Sequence, residues 1–409
     1  MINRVKWIAC VAVLAVVCVT DAGVAAKAAK KGAVPNQVTG NTTFALDLYS
    51  HLAKGDEGNL FYSPYSISTA LAMTYAGARG NTATEMEKVL HFEARQGVHS
   101  PFKELQSRVN AIGEKGKVTL NVANSLWPDR QYKFLDSFMY LVSKHYVATI
   151  KPIDFSNADL AAKLINTWVE DKTNDLIKDI LKASDIDPLT KLALVNAIYF
   201  KGTWKYQFKK KQTREQDFMV TRANRVKVPL MSQAGKFHYG ENKDLQVLEL
   251  PYDGDDVSMV VILPRKVDGL AALEKKLNAQ TLTQWTGLLR QHKKVNVFFP
   301  RFKMEYMMHM KKTLTAMGMP DAFSTVRADF SGMDGSRNLR IHKVIHKAFV
   351  EVNEEGTEAA AATVVLMAAR SARIDRPPTF RADHPFIFLI KDRVTGSVLF
   401  MGRMTNPAT

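Results

Sequence analysis

Asn353-Glu354-Glu355-Gly356-Thr357-Glu358-Ala359-Ala360-Ala361-Ala362-Thr363-Val364-Val365-Leu366-Met367-Ala368-Ala369-Arg370-Ser371 is the stretch on which the reading of this chain turns, because its composition conflicts with every ordinary role. Four consecutive alanines favour helix. The strand-like run that precedes them and Gly356 argue against a simple continuation, and Thr363-Val364-Val365 prefer strand. Standing alone, the stretch reads as a short exposed helix or a flexible loop.

The surroundings narrow that choice. The chain has 409 residues and is 46% hydrophobic, enough for a sizeable core and too much for disorder over most of the length. At the start, Arg4 and Lys6 precede an apolar run from Trp7 to Thr20, and small residues follow through Ala26. This reads as a signal peptide over 1–26, removed on export to an extracellular or periplasmic space. The run is short for a membrane span, which needs about 20 residues, so the mature form is expected to carry no membrane segment, with a retained anchor as the alternative. Both cysteines, Cys10 and Cys18, fall inside the segment, so thiol catalysis, thiolate metal sites and disulfide frameworks are excluded from the mature chain. Cys18 also permits a lipoprotein anchor, against which stands the bulky Val17 before it.

The net charge is +16, a balance that favours polyanions or acidic surfaces as encounter partners. The densest run is Lys209-Lys210-Lys211, with Lys201, Lys205 and Arg214 nearby. Its plain reading is a solvated loop, and its functional reading is a site for a glycosaminoglycan or a nucleic acid; both stay open. Helix over 99–117 carries Lys103, Arg108, Lys115 and Lys117, too thinly spaced for a cofactor-binding helix.

From Lys27 to Gly40 the sequence is small, basic and without apolar periodicity, and reads as a flexible lead-in. Phe44, Ala45, Leu48, Tyr49 and Leu52 stand at helical spacing, residues 65–78 and 83–90 repeat the pattern, and helix returns over 158–182 with Leu160, Leu164, Trp168 and Leu176 on one stripe. Alternation over Val118–Trp127 predicts a strand. Strands then dominate: Leu192–Phe200, Val226–Met231, Leu245–Leu250, Val257–Leu263, Val295–Phe299, His342–Val352, Phe386–Lys391 and Ser397–Arg403, the last two around a turn at Asp392–Gly396. Helices leading and strands following, with no linker between two cores, indicate a single α+β domain over 41–409 with large mixed sheets.

Glu354 to Thr363 closely resembles the proximal hinge of inhibitory serpins, and counting fourteen residues on from Gly356, as that family's spacing suggests, lands on Arg370 and Ser371. The likeness runs over essentially the whole mature chain. Asn59-Leu60-Phe61-Tyr62-Ser63-Pro64-Tyr65-Ser66-Ile67 is similar to the start of the family's second helix, and Leu194–Trp204 to its central strand and turn. Leu248-Glu249-Leu250-Pro251-Tyr252, Phe299-Pro300-Arg301-Phe302, His346 to Glu354, and Pro385-Phe386 with Phe400-Met401-Gly402 complete the set in the family's order.

The resemblance implies a serpin fold, about eight or nine helices around three β-sheets, with an exposed reactive-centre loop over 354–380. It implies no enzyme and no cofactor, but a monomeric suicide inhibitor that forms a covalent complex with a serine protease. The cleaved loop would enter the largest sheet as a new strand, so alternate side chains must face inward. With Thr357 as the first, the inward set is Thr357, Ala359, Ala361, Thr363, Val365 and Met367, none of them charged, while Glu358, Ala360 and Ala362 face water. Gly356 would be the pivot. Arg370 would fill a pocket with a buried carboxylate, which implies trypsin-like targets; Arg373 is the alternative scissile position. By the same resemblance Ser63, Ser66, Asn196 and His346 form a buried polar cluster beneath the opening sheet, and Trp204, Arg301 and Glu354 mark where the loop first enters. Without the family, Ser63 and Ser66 read as helix caps, His346 as a satisfied core histidine, and Arg301 with Glu354 as a surface pair of little energy. A non-inhibitory serpin acting as carrier, chaperone or storage protein is the competing function, disfavoured by a hinge that is small, uncharged inward and free of proline.

Other chemistry is set aside. Gly113-Glu114-Lys115-Gly116-Lys117 has the wrong spacing for a phosphate loop and reads as a turn. His342 and His346 share a strand face in this reading without a third ligand, and no Gly-x-Ser-x-Gly elbow occurs. Asn41-Thr42-Thr43 is a glycosylation sequon.

Overall fold

Runs of Val, Ile, Leu and Phe broken by Gly, Asn and Asp turns fill the second half of the chain, and they become strands wherever the run meets a partner of matching length. A computed structural model describes residues 33–93, 97–115, 118–146, 149–356 and 377–409. The chain runs α1 (Ala33–Gly55), β1 (Leu60–Tyr62), α2 (Pro64–Tyr75), α3 (Gly80–Leu90), α4 (His99–Glu114), β2 (Val118–Pro128), α5 (Asp136–His145), β3 (Thr149–Ile150) and α6 (Ala158–Lys172). It continues with β4 (Leu192–Gly202), β5 (Arg214–Met219), β6 (Arg225–Glu241), β7 (Leu245–Pro251), β8 (Val257–Pro264), α7 (Leu270–Glu274), α8 (Ala279–Thr286), β9 (Arg290–Pro300) and β10 (Phe302–His309). It closes with α9 (Lys311–Met317), α10 (Ser331–Asp334), β11 (Ile345–Val352), β12 (Thr379–Arg381), β13 (Phe386–Asp392) and β14 (Val398–Met404).

The α+β class stands, with helices first and sheets after. Among the described residues there are ten α-helices rather than eight or nine, because α7 and α10 are one-turn elements of five and four residues. The strands form two hydrogen-bonded sheets rather than three: a five-stranded one in the order β10-β11-β4-β2-β3, and a nine-stranded one containing β1-β14-β13-β8-β7-β6-β9-β12 with β5 beside β6. The merger comes from β6, 17 residues long, which pairs β5 along its first half and β7 along its last residues. A register shift between Gly235 and Phe237 lets it bend on the way.

The two sheets face each other across an aromatic core. Phe61 stacks on Phe400 at 5.2 Å between ring centres, and Phe200 of β4 meets Phe400 of β14 edge-on at 5.7 Å. On the other side of the five-stranded sheet lies α6, whose Ala161, Ala162, Ile165, Trp168 and Val169 are buried against Trp127, Tyr199 and Phe349. Leu160 and Leu164, expected on that stripe, point to solvent. The helix also stops at Lys172 rather than 182: the Thr173 hydroxyl donates to the Val169 carbonyl, and Asn174 and Asp175 both adopt left-handed backbone.

Three more readings are corrected. The lead-in is helical from Ala33, seven residues before its expected end at Gly40. Asn41 is buried and its amide donates to the Val398 carbonyl at 3.3 Å, so the folded chain offers no room for a glycan there. Gly113 lies in the last turn of α4 rather than in a turn between elements. Among the described residues no helix is long and apolar enough to cross a membrane, and no three or more His, Cys, Asp or Glu side chains are grouped to hold a metal ion.

Candidate functional site

The site grows from one register coincidence. His346 on β11 is the cross-strand partner of Asn196 on β4, and Asn196 is the partner of Asn124 on β2, so three polar side chains form a row across three adjacent strands. Beneath that row α2 begins. Ser63 caps it, accepting the Ser66 N–H at 3.1 Å, and Pro64 takes the first helical position, where no backbone donor is needed. The plain cap reading of Ser63 is therefore correct, and the structure also brings Ser63, Ser66, Asn196 and His346 together.

The bonds run in a definite direction. The Ser63 N–H donates to His346 Nε2 at 3.1 Å, which makes Nε2 the acceptor and puts the ring proton on Nδ1, whence it is donated to Asn196 Oδ1. The Asn196 amide donates in turn to the Ser66 carbonyl at 3.0 Å and faces Ser66 Oγ and Asn124 Oδ1. Ser63 Oγ donates to the Leu399 carbonyl at 2.6 Å, tying the cluster to β14 of the other sheet. Asn124 was not foreseen in the sequence; an amide in mid-strand, directly across from Asn196 once the pairing is known, is the signal that finds it.

Burial lowers the His346 pKa to about 3, because a charged ring there would lose its water. An unfolded chain protonates this histidine near 6.5, so between pH 6.5 and 3 the unfolded state binds more protons and stability falls as the pH is lowered. The full span is worth on the order of 5 kcal/mol at about 1.36 kcal/mol per pH unit. His99, lowered to about 4 by burial and by the charge of His145, adds to the same slope. Urea midpoints measured from pH 7.5 to 4.5 are expected to decline, and the part of the slope missing in His346→Gln belongs to this residue; an unchanged slope in that variant would assign the loss elsewhere.

The cluster sits on the seam of the five-stranded sheet, so the gap expected in the largest sheet lies instead in the smaller of the two, because β5 to β9 and β12 to β14 with β1 join into one nine-stranded sheet. At the seam β11 and β4 pair in parallel over five residues only, Ile345–Phe349 against Val195–Tyr199. Above Phe349 the two strands part, and the chain after β11 folds into the gap. Gly356 bridges both Thr203 and Asn353, the Trp204 N–H donates to the Glu355 carbonyl at 2.9 Å, and the Phe208 N–H to the Glu354 carbonyl at 2.8 Å. Gly356 has φ +123°, and a Cβ there would lie 2.2 Å from the Gly202 carbonyl oxygen, so only glycine fits this docked turn.

Side chains hold the same corner. Trp204 stacks on Tyr252 at 4.4 Å and its indole N–H donates to the Asn353 carbonyl at 3.0 Å. Glu354, only 4% exposed, accepts the Thr213 hydroxyl at 2.6 Å and meets Arg301 at 3.6 Å. The structure thus brings Trp204, Arg301 and Glu354 together, and the pair is no plain surface pair, because removing Arg301 would leave a buried carboxylate held by one hydroxyl. Glu355 pairs with Lys210 at 2.7 Å. His342 and His346 are not neighbours on a strand, since β11 starts at Ile345. Thr357 to Thr363, Arg370, Ser371 and Arg373 lie outside the described residues.

Comparison with known proteins places this geometry. The family profile Serpin (serine protease inhibitor) matches residues 39–407. The human leukocyte elastase inhibitor is 43% identical over 376 residues, covering 90% of this chain and 98% of the relative. Uncleaved ovalbumin superposes with a TM-score of 0.81 at 34% identity, over 91% of this chain and all of that one. Native protease nexin-1, solved with heparin, does so with a TM-score of 0.80 at 28% identity, over 92% of this chain and all of that one.

Proposed function

The chain belongs to the serpin family of serine protease inhibitors, which are not enzymes, and we propose that it traps trypsin-like serine proteases by suicide inhibition, with cleavage between Arg370 and Ser371. The observation that carries the reading is the short parallel seam between β11 and β4, five residue pairs long, with the turn at Asn353–Gly356 docked at its mouth. Parting that seam admits one strand, and the segment that follows Gly356 has small, uncharged residues at every second position from Thr357 to Thr363. The protease attacks, its serine forms an ester with the Arg370 carbonyl and the amine of Ser371 leaves; the freed segment then enters the seam and drags the acylated protease with it before water cleaves the ester. Trapping is a race between insertion and deacylation.

Arginine at the scissile position supports a target whose pocket holds a buried carboxylate, since a paired guanidinium is favoured there. The inhibitor acts as a monomer, exported by the segment 1–26. The charge of +16 and the likeness to a serpin solved with heparin support a polyanion as a second partner.

Incubation with trypsin tests the reading. The expected product is a complex that survives denaturing electrophoresis, together with a released C-terminal fragment whose mass begins at Ser371, while the N-terminus of the complex reports removal of the leader. A fragment beginning at Ile374 would move the scissile bond to Arg373. Complete cleavage with no trapped complex would leave a non-inhibitory serpin.

A further inference from the structure

Lys209, Lys210, Lys211 and Arg214 put four cations into six consecutive positions, and of these Lys210 alone meets a carboxylate among the described residues. Lys209 and Lys211 are exposed. Arg214 is folded back on its own turn, donating to the Lys211 carbonyl at 2.6 Å and the Thr213 carbonyl at 2.9 Å, which fixes its guanidinium in place without neutralising it. A fifth cation joins from another strand: Arg214 and Pro300 flank Leu230 in register on either side of β6, so their backbones stand about 10 Å apart and Arg301 follows directly. Two carboxylates, Glu354 and Glu355, answer these five cations, and both belong to the turn that closes the seam.

We propose that Lys209, Lys210, Lys211, Arg214 and Arg301 form a binding site for a linear polymer of closely spaced oxyanions, and that the polymer competes with Glu354 and Glu355 for Lys210 and Arg301, loosening the turn at the mouth of the sheet. A run of sulfate or phosphate groups offers Lys209, Lys211 and Arg214 the anionic partners that no carboxylate among the described residues supplies, and offers Lys210 and Arg301 an alternative to Glu355 and Glu354. The Lys210–Glu355 pair is exposed on the lysine side and is open to exchange with an external anion; hydrogen bonding to Glu355 and its charge raise the Lys210 pKa. Because Trp204 bonds to the carbonyl of Asn353 and its N–H to that of Glu355, a change in this turn reaches the indole directly. Binding and loosening are reciprocal, so a turn already released from Lys210 binds the polymer more tightly.

The proposal rests on the polyanion reading above and assigns it a place. Titration calorimetry with the intact protein, without protease, uses a heparin octasaccharide in one arm and a polyphosphate of similar charge in the other; the tighter ligand identifies the chemical source. The triple variant K209A/K211A/R214A is expected to lose at least tenfold in affinity and to show a shallower salt dependence. The triple variant K236A/K293A/K294A removes three lysines that are likewise exposed and without carboxylate partners among the described residues, at the β6–β9 irregularity away from the turn. It calibrates unspecific charge loss. Glu355→Gln is expected to raise affinity severalfold, more than Asp217→Asn, whose carboxylate serves Arg225 and Lys227 instead. Tryptophan emission is expected to shift on binding, and the shift to vanish in Trp204→Phe. Equal losses in the two triple variants, or binding without a Trp204 response, would overturn the site or its link to the turn. Binding is read without trapping, so a failed trap leaves this result standing, while polymer binding lost only in K236A/K293A/K294A keeps a polyanion partner and refutes this placement.

Discussion

Cleavage after Met367, within residues 368–376, is expected to raise the midpoint of thermal unfolding by at least about 10 °C, a change opposite in sign to what a cut chain ordinarily shows. The intact sheet is held along its seam by five parallel residue pairs. A strand inserted there gains roughly ten ladder hydrogen bonds at a net ~1 kcal/mol each and buries Val365 and Met367, so the driving force is on the order of 10 kcal/mol. At about 2.1 cal/mol/K of unfolding entropy per residue over about 370 residues, each 10 kcal/mol moves the midpoint by more than about 10 °C. Opening the seam separates His346 from Asn196, whose bond spans β11 and β4, and the cluster survives only because Ser63, Ser66 and Asn124 offer other partners on both sides. The measurement needs a protease that forms no acyl ester, such as a metalloprotease, since such an enzyme cuts and leaves. Scanning calorimetry of cut and intact protein decides; a cut protein that melts no higher would remove insertion from the mechanism.

Ala361→Glu is expected to turn the inhibitor into a substrate, whereas Ala362→Glu, one residue on, leaves trapping nearly intact. Side chains of a strand alternate between faces, so the two substitutions carry the same charge into opposite environments. On the inward face a carboxylate must lose its water without a partner, at a cost of several kcal/mol. If about 3 kcal/mol of that cost appears in the barrier to insertion, the step slows roughly a hundredfold and deacylation wins the race. The readout is the number of inhibitor molecules consumed per protease molecule trapped: near one for Ala362→Glu, at least about tenfold higher for Ala361→Glu. Equal values for the two variants would mean that the segment does not enter as an alternating strand with this register.

Much of this molecule was legible residue by residue. The strand periods over Val118–Trp127 and Val257–Leu263 survive in β2 and β8 nearly to the residue, because a strand buried between layers has its ends set by where apolar side chains stop. Ser63, Ser66, Asn196 and His346 could be named together before their contacts were known. Other features were not legible. Leu160 and Leu164 fit the helical stripe as well as Trp168 does, and only the placement of α6 on the sheet decides which of them is covered. The length of β6 depends on three neighbouring strands, β5, β7 and β9, rather than on its own residues, which include Pro229, Gly235 and two lysines.

The amino-acid order alone thus determined the class of the fold, the family and the uncharged alternation of the segment after Gly356, since each is a property of neighbours along the chain. Tertiary structure alone decided that Asn124 joins the cluster, that five residue pairs close the seam, that Asn41 is inaccessible and that Lys210 and Arg301 hold the two carboxylates of the hinge. Each of these is a meeting of side chains far apart in sequence, and which distant residues meet follows from strand register and sheet order, quantities that no local pattern of residues contains.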